Sequence, residues 1–198
     1  MSKVFGIGLS RTGTTSLNGA LQILGYRAVH FPSDPATQRQ IIGHVAGPEH
    51  SLRLTVLEKH DALTDTPVSC VYQALDRTYP GSKFVYTTRT KEAWLRSCEL
   101  WWRTEVMPLI KSDPDGEMGP YMARISETLY GTANFDTESF SAAYDAYTAG
   151  VLRYFNGRPQ DLLVINICGG ERWSKLAPFL GRGMPRTAFP RTNAAAAR

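Results

Sequence analysis

The feature that most constrains this chain is a glycine-bounded turn near its start. Residues 8–15 read Gly-Leu-Ser-Arg-Thr-Gly-Thr-Thr. They stand between an apolar segment over 3–9 that predicts a strand and leucines at helical spacing over 14–24. Glycines let the backbone approach an anion closely, and the start of a helix offers unpaired N–H groups. The turn therefore predicts a phosphate-binding loop. The plainer alternative is a glycine-rich turn with a threonine N-cap.

Strand-like and helix-like segments alternate along the rest of the chain. Further strands are predicted over 26–31, 62–64, 83–88 and 162–167, and helices over 37–42, 52–59, 68–79, 91–103, 121–130, 138–155 and 171–179. Residues 111–120 form the clearest loop. Strands separated by helices indicate a parallel sheet that is covered on both faces. We therefore expect an α/β fold, a three-layer α/β/α domain with a central parallel sheet of the P-loop nucleotide-binding type.

Length and composition bound the organisation of the chain. The 198 residues, of which 42% are hydrophobic and 20% charged, fit a single domain over 1–198 and exclude wholesale disorder. Residues 194–198 are expected to be a frayed tail. The net charge of +4 is too small to indicate a nucleic-acid partner by itself. After Glu171, however, six basic and no acidic residues follow, which favours an anionic ligand or partner.

The cysteine pattern bears on the cellular compartment. Cys70, Cys98 and Cys168 are widely spaced and form no Cys-x-x-Cys pair. The sequence therefore predicts neither a zinc site nor a disulfide framework, and it favours a reducing environment. No signal-peptide pattern is visible, and no apolar run approaches the roughly 18 residues of a membrane span. We expect a cytoplasmic protein with no membrane-spanning segment.

The cation of the 8–15 loop differs from that of a nucleoside triphosphatase. In the pattern G-x-x-x-x-G-K-[ST], a lysine reaches the β- and γ-phosphates. Here Thr14 stands at the lysine position and Arg11 supplies the cation. The strand over 83–88 leads into Arg89, where such an enzyme needs a carboxylate for magnesium, and no obvious metal-binding aspartate ends a later strand. The sequence thus argues against an ordinary ATPase or GTPase.

A second anion-binding pair is predicted at the same edge of the sheet. Arg89 directly follows the strand over 83–88, and Ser97 lies eight residues later in the next helix. Ligands of open parallel sheets bind at the carboxyl ends of the strands, so Arg89 is expected beside the 8–15 loop. A guanidinium group and a hydroxyl can together hold one phosphate. The alternative is a surface arginine followed by a small helix residue.

Together the two elements resemble the sulfotransferases that use 3′-phosphoadenosine 5′-phosphosulfate (PAPS). Residues 11–15 match that family's loop for the 5′-phosphosulfate, and Arg89 with Ser97 matches its 3′-phosphate motif. The resemblance extends over about 3–193 and is strongest to a bacterial-type subgroup. Its weaker matches are Tyr26 with His30, residues 61–67, Tyr79-Pro80, Phe189-Pro190 and Asn193.

The resemblance implies a reaction and a set of binding residues. The protein would transfer a sulfuryl group from PAPS to a hydroxyl or amine of a small acceptor and release 3′,5′-adenosine bisphosphate, without a metal and without a nucleic-acid partner. The family's Arg-Lys-Gly loop has no clear counterpart, and Arg182-Gly183 and Arg191 are the candidates to replace it. The implied nucleotide-binding residues are Ser10, Arg11, Thr12, Gly13, Thr14, Thr15, Arg89, Ser97 and Arg191.

The implied chemistry requires charge stabilisation and a base. In a loose, in-line transfer, negative charge grows on the leaving phosphate oxygen, where Arg11 and the loop N–H groups are expected. His30, which ends the second strand, and Asp65, which follows the third, are the candidate bases for the acceptor proton. The alternatives are a strand-end histidine bonded to backbone and an aspartate that caps the helix entered through Pro67. Asp61 is a weaker third candidate.

Aromatic residues crowd the helix over 91–103, which contains Trp94, Trp101 and Trp102. They predict core packing, with the alternative that one of them lines an acceptor pocket or stacks near the adenine. Acceptor specificity is expected in residues 104–135, which we interpret as a loop-rich segment. The tyrosines expected on the acceptor side are Tyr121, Tyr130, Tyr144 and Tyr147.

Two other functions remain open: a P-loop phosphotransferase, and a non-catalytic nucleotide-binding protein on the same scaffold.

Overall fold

The computed structural model describes residues 2–47 and 51–191. In this part of the chain the strands are β1 (Val4–Gly6), β2 (Ala28–His30), β3 (Ala62–Thr64), β4 (Lys83–Thr87) and β5 (Leu162–Ile165). They form one sheet in the order β2-β3-β1-β4-β5, and every pairing is parallel. Only β3 has its predicted bounds, since the other strands end before the predicted residue. Asn193 and the expected tail over 194–198 lie outside the described residues.

Helices connect the strands and follow most of the predicted segments. They are α1 (Thr14–Ile23), α2 (Pro35–Ala46), α3 (Val56–Lys59), α4 (Val68–Thr78), α5 (Lys91–Trp101), α6 (Met107–Ser112), α7 (Met118–Tyr130), α8 (Thr137–Tyr154) and α9 (Trp173–Phe179). A π-helical turn over Trp102–Val106 joins α5 to α6. No helix of the described ranges combines the length and apolar character needed to cross a bilayer.

Each face of the sheet is covered by its own set of helices. Phe5 of β1 and Phe84 of β4 belong to a core shared with α2, α4, α7 and α8. Their neighbours Val4 and Val85 belong to a core shared with α1 and α9. This separation follows from the alternation of side chains along a strand, which sends consecutive residues to opposite faces. The three-layer α/β/α architecture predicted from the sequence is confirmed.

The register of the strands brings their carboxyl ends to one edge. Gly6 of β1 lies level with Thr64 of β3 and with Val85 of β4, and Thr64 lies level with His30 of β2. The loops that leave these strands therefore start at the same edge of the sheet. This is the edge at which open parallel sheets bind ligands.

The prediction that residues 104–135 are loop-rich was wrong, because most of them are helical. The π-helical turn keeps both Trp102 and Val106 buried, at 2% and 1% exposure. Both side chains pack with Phe140 of α8 in a satellite core beside the main one. Burial of these large side chains favours a helix in a segment whose polar residues suggested a loop.

Two other boundaries differ from the predictions for local reasons. The loop predicted over 111–120 shrinks to 113–117, because the Asp113 carboxylate accepts the backbone N–H groups of Met118 and Gly119 and so starts α7. The helix predicted over 52–59 is confined to α3. Before it, the Leu52 N–H donates to a hydroxyl on Thr78 and that segment stays extended.

Candidate active site

A cavity of about 450 Å³ opens at the carboxyl edge of the sheet. The loop between β1 and α1 contributes Ser10, Arg11, Gly13, Thr14 and Thr15 to its wall. From other elements come His30 after β2, Asp65 after β3, Arg89 after β4, and Arg191 near the end of the described chain. Nine of the sequence-predicted site residues thus surround one space, although they come from five separate parts of the chain.

Hydrogen bonds to the protein interior hold the 8–15 loop on one side, and its other side faces the cavity. The Thr12 side chain is turned inward, where its hydroxyl meets the Leu9 carbonyl and the Thr87 hydroxyl at 2.6 and 2.7 Å. The indole N–H of buried Trp94 donates to the Ser10 carbonyl at 2.9 Å. The Ser69 hydroxyl likewise donates to the Gly8 carbonyl at 3.0 Å. Thr12 therefore shapes the loop from inside, whereas its neighbours face the cavity.

The start of α1 is open toward the cavity. Gly13 occupies the N-cap position in the left-handed conformation, with φ of 99°, and no side chain caps the helix. The alternative of a threonine N-cap is therefore wrong. A helix start without a side-chain cap presents N–H groups and the positive end of the helix dipole to a ligand, an arrangement suited to anions.

Asp65 is a buried carboxylate that joins the 8–15 loop to His30. Its Oδ1 atom accepts hydrogen bonds from the Ser10 and Thr14 hydroxyls, both at 3.0 Å, and Oδ2 lies 3.5 Å from Nε2 of His30. Burial raises the pKa of the Asp65 carboxyl, although the facing imidazole and the two hydroxyls lower it. The N-cap interpretation was wrong, since the side chain points into the loop and does not cap α4.

Within the described ranges the His30 ring is held by side chains and not by backbone groups, so the interpretation of a backbone-bonded strand-end histidine was wrong. Its Nδ1 atom lies 3.2 Å from the Thr64 hydroxyl, and Nε2 lies 3.1 Å from the Thr15 hydroxyl. Thr64 itself donates to Oδ1 of Asn18. This pattern is compatible with a ring proton on Nδ1, toward the Thr64 oxygen, and a lone pair on Nε2.

Asp65 is an exception to the expectation that no obvious metal-binding aspartate ends a later strand. Asp65 does follow a strand end, in the region where a nucleoside triphosphatase carries its magnesium carboxylate. In this structure, however, the His30 imidazole lies between the Asp65 carboxylate and the hydroxyl of Thr15, which occupies the magnesium-binding position of the motif. Across the described ranges, no group of three or more His, Cys, Asp or Glu residues is arranged to hold a metal ion.

Arg11 and Arg89 both line the cavity and are joined by a hydrogen bond. Nε of Arg11 donates to the Ser97 hydroxyl at 3.1 Å, and the Arg11 guanidinium lies 5.7 Å from the centre of the Trp101 ring. Arg89 donates through one terminal nitrogen to the Arg11 carbonyl at 3.3 Å. Ser97 thus reaches the site through Arg11 and does not itself line the cavity wall. The Arg11 backbone has a positive φ of 71°, which is uncommon for a side chain other than glycine.

Arg172 is a site residue that sequence reasoning missed. It occupies the N-cap position of α9 and lines the cavity near Cys168. A usable signal was present, since a cation at a helix start opposes the helix dipole unless an anion lies nearby. Arg182, proposed to replace the Arg-Lys-Gly loop, instead lies over the Tyr26 ring at 4.9 Å and is not part of the cavity wall.

The charges around the cavity are unbalanced. Within residues 2–47 and 51–191, no carboxylate forms an ion pair with Arg11, Arg89, Arg172 or Arg191. Each of them except Arg191 is partly buried. Asp65, which faces His30, is the one carboxylate among the described lining residues, so four guanidinium groups outnumber it. Converging cations in excess repel one another and attract anions. The arrangement therefore fits a ligand that carries more than one negative group.

Other predicted candidates lie away from the cavity or behind its wall. Asp61 precedes β3, at the opposite edge of the sheet, and binds the Arg27 guanidinium through both oxygens, which lowers the pKa of its carboxyl to about 2. It was wrong as a candidate base. Trp94 and Trp102 are buried, as core packing predicts, whereas Trp101 lines the cavity.

The four tyrosines predicted on the acceptor side do not line this cavity. The hydroxyl of Tyr144 donates to the Arg89 carbonyl, and that of Tyr147 donates to the Ile7 carbonyl at 2.6 Å. Both side chains therefore brace the edge of the sheet from behind. Tyr121 and Tyr130 are buried, at 4% exposure each.

Two comparisons with known proteins bear on this site. A family model described as "Sulfotransferase domain" matches residues 3–198. Among curated proteins, the chain is similar to "Ava biosynthesis cluster protein M" of Aspergillus versicolor. The two sequences are 26% identical over 210 residues, which cover 95% of this chain and 79% of the relative.

Proposed function

The chain belongs to the sulfotransferase domain family, and from this premise we propose that it transfers a sulfuryl group from PAPS to a hydroxyl or amine of a small acceptor. The observation that carries the proposal is the convergence of four arginines, none with an ion pair in the described part of the chain, on the cavity that also contains His30. PAPS has two separate anionic groups, the 5′-phosphosulfate and the 3′-phosphate. A fungal relative named as a biosynthesis cluster protein is consistent with a small-molecule acceptor.

We assign the two anionic groups to different parts of the cavity wall. The 5′-phosphosulfate would lie over the 8–15 loop, against the start of α1 and the Arg11 guanidinium. The 3′-phosphate would lie against Arg89, Arg172 and Arg191. In this assignment Thr12 and Ser97 act indirectly. Thr12 sets the shape of the loop, and Ser97 orients Arg11.

The proposed transfer breaks the bond between sulfur and the phosphate oxygen and forms one between sulfur and the acceptor oxygen. The leaving oxygen stays on the bisphosphate product and gains negative charge, which Arg11 would stabilise. In the proposed step the ring proton of His30 is on Nδ1, toward Thr64, and the acceptor loses its proton to Nε2. Asp65 then faces the resulting imidazolium and stabilises its charge.

Exposure favours His30 over Asp65 as the base. The His30 side chain is 28% exposed, whereas that of Asp65 is 9% exposed and both of its oxygens already face partners. An acceptor hydroxyl can therefore reach Nε2 by replacing the Thr15 hydroxyl, whereas the Asp65 oxygens, although on the cavity wall, are less exposed and already have partners. In this proposal Asp65 is a positioning residue.

The phosphotransferase alternative has one observation in its favour and two against it. Asp65 follows β3 beside the 8–15 loop, as a magnesium-binding carboxylate would. Against it, Thr14 replaces the lysine of that motif, and the His30 ring lies between Asp65 and Thr15.

A transfer assay distinguishes the candidates. The protein would be incubated with PAPS labelled in its sulfuryl group and with separate pools of phenols, aliphatic alcohols, sugars and amines, and labelled products would be separated by chromatography. Parallel reactions would contain ATP labelled in its γ-phosphate and magnesium. We expect label from PAPS, and not from ATP, in the product of at least one pool. Transfer from ATP alone contradicts the proposal, and so does transfer from neither donor.

A further inference from the structure

The Arg11 side chain is held at two points along its length. Its Nε atom donates to the Ser97 hydroxyl at 3.1 Å, and the central carbon of the guanidinium lies 5.7 Å from the centre of the Trp101 ring. Its two terminal nitrogens have no partner among residues 2–47 and 51–191. The guanidinium is therefore fixed by one edge and one face, while its donating end is left for a ligand.

Trp101 differs from the two other tryptophans of its segment. Trp94 and Trp102 are buried at 0% and 2% exposure. Trp101 ends α5, is only partly buried, and lines the same cavity as Arg11. Since consecutive residues of a helix point in different directions, Trp102 can anchor the satellite core while Trp101 faces the cavity. Core packing accounts for the first two rings. Trp101 packs edge-on against the Trp102 ring, with the ring centres 5.1 Å apart, and this contact leaves its cavity-facing side to be explained.

We propose that Trp101 is a positioning residue, whose ring holds the Arg11 guanidinium so that the terminal nitrogens meet the leaving phosphate oxygen. The inference rests on the proposed function for its catalytic purpose. A long arginine side chain has considerable rotamer freedom, and a contact with an aromatic face removes part of that freedom before the ligand arrives. Neither adenine stacking nor acceptor stacking is needed to explain the ring.

Kinetics of matched variants separate this role from direct contact with a ligand. Trp101→Phe keeps an aromatic face, whereas Trp101→Leu keeps an apolar side chain without one. We expect Trp101→Leu to lower kcat about 2- to 30-fold, Trp101→Phe to restore most of the rate, and the acceptor KM to stay unchanged in both. A Trp101→Leu variant that mainly raises the acceptor KM overturns the proposal in favour of acceptor stacking.

A double-mutant cycle distinguishes a role through Arg11 from a direct contact with the nucleotide. If Trp101 acts through Arg11, adding Trp101→Leu to an Arg11→Ala chain changes neither kcat nor the affinity for 3′,5′-adenosine bisphosphate. If Trp101 stacks on the adenine, Trp101→Leu weakens bisphosphate binding by the same factor in the presence and in the absence of Arg11. That second result overturns the proposal.

One readout needs no activity and so keeps the two claims apart. The chain has four tryptophans, which can be labelled with 5-fluorotryptophan and resolved by fluorine NMR. Trp101→Phe identifies the Trp101 resonance, and we expect Arg11→Gln to move that resonance in the ligand-free protein. Arg96→Gln, at an exposed arginine of α5, is the matched control and should leave it in place. An unmoved resonance in Arg11→Gln overturns the contact itself. Absence of sulfuryl transfer by the wild type, with the resonance moving as expected, overturns the proposed function instead.

Discussion

Oδ2 of Asp65 lies 3.5 Å from Nε2 of His30, at the edge where the carboxyl ends of the parallel strands meet. Nε2 also lies 3.1 Å from the Thr15 hydroxyl, and Nδ1 lies 3.2 Å from the Thr64 hydroxyl, which can accept a hydrogen bond from it. Protonation of Nε2 converts the contact with Asp65 into an attraction between opposite charges. Under the proposed function, this pair would take up the proton that an acceptor hydroxyl loses in sulfuryl transfer.

We predict that His30→Gln lowers kcat by about 10²- to 10⁴-fold, the usual contribution of a positioned general base. Affinity for 3′,5′-adenosine bisphosphate should stay close to that of the wild type, because the proposed phosphate ligands are untouched. The comparison needs steady-state kinetics and a binding titration of the same preparations. His60→Gln is a suitable control, since His60 bonds a carbonyl of α3 outside the cavity. Equal rates in the wild type and His30→Gln would assign the base elsewhere.

Asp65→Asn is expected to raise the free energy of unfolding at neutral pH. Burial raises the pKa of the Asp65 carboxyl, so the folded chain binds its proton more tightly than the unfolded chain. The resulting stabilisation is present below the ordinary carboxyl pKa and is lost as the pH rises through the folded pKa. Asparagine is uncharged and keeps an oxygen for Ser10 and Thr14. In urea unfolding, the free energy of unfolding of Asp65→Asn should therefore exceed that of the wild type by an amount that grows as the pH rises from about 4.

Asp136→Asn is a control for that pH series, because it should lower the free energy of unfolding at neutral pH where Asp65→Asn raises it. Its carboxylate accepts the Ser139 N–H at the start of α8, which lowers the pKa of Asp136. Stability from this contact is present above the ordinary carboxyl pKa and is lost as the pH falls, so the loss caused by Asp136→Asn should shrink toward low pH. A difference in unfolding free energy between Asp65→Asn and the wild type that stays constant between pH 4 and pH 8 would contradict the conclusion that burial raises the pKa of Asp65.

Arg172→Ala should weaken binding of 3′,5′-adenosine bisphosphate by about tenfold or more, the value of a charge-assisted hydrogen bond. Binding of adenosine 5′-monophosphate, which lacks the 3′-phosphate, should change little. Calorimetric titration with both nucleotides measures the difference. Lys175→Ala is the matched control, because Lys175 belongs to the same helix but pairs with Glu171. An equal loss for both nucleotides would move Arg172 to another part of the ligand.

Gly8→Ala is expected to destabilise the loop and to abolish nucleotide binding. A Cβ atom at Gly8 would overlap the Thr87 hydroxyl and come within 2.7 Å of the Thr87 carbonyl oxygen, so β1 and β4 would have to separate. Gly43→Ala in α2 is the control, since a Cβ there meets nothing within 4 Å and should stabilise the helix by about 0.5–1 kcal/mol. Urea unfolding and bisphosphate binding report the two effects, and a fully stable Gly8→Ala protein would refute the packing described here.

The parts of the site that could be predicted are those encoded locally. Residues 8–15 form the loop from their own glycines and from their position between a strand and a helix. Arg89 could be assigned to the same edge because strand ends of a parallel sheet coincide there. In both cases a short stretch of sequence determines where the side chain goes.

The parts that were missed depend on tertiary contacts. Arg172 joins the cavity only because α9 packs against the face that also carries α1. The direction of the Asp65 side chain follows from hydroxyls on the 8–15 loop, more than 50 residues earlier in the chain. The π-helical turn forms where Trp102 and Val106 find partners on α8. No local pattern encodes these pairings, which explains why an N-cap aspartate and a loop-rich segment were predicted instead.

Calorimetric titration with 3′,5′-adenosine bisphosphate, compared with ADP in the presence of magnesium, shows which nucleotide the cavity prefers. The proposed function requires tight binding of the bisphosphate that persists when magnesium is chelated, weak binding of ADP, and loss of most of the difference in Arg89→Ala. Tighter binding of ADP with magnesium would contradict it and favour a phosphotransferase. Binding of neither nucleotide would also contradict the proposed function, because the four arginines of the cavity would then bind no nucleotide of this kind.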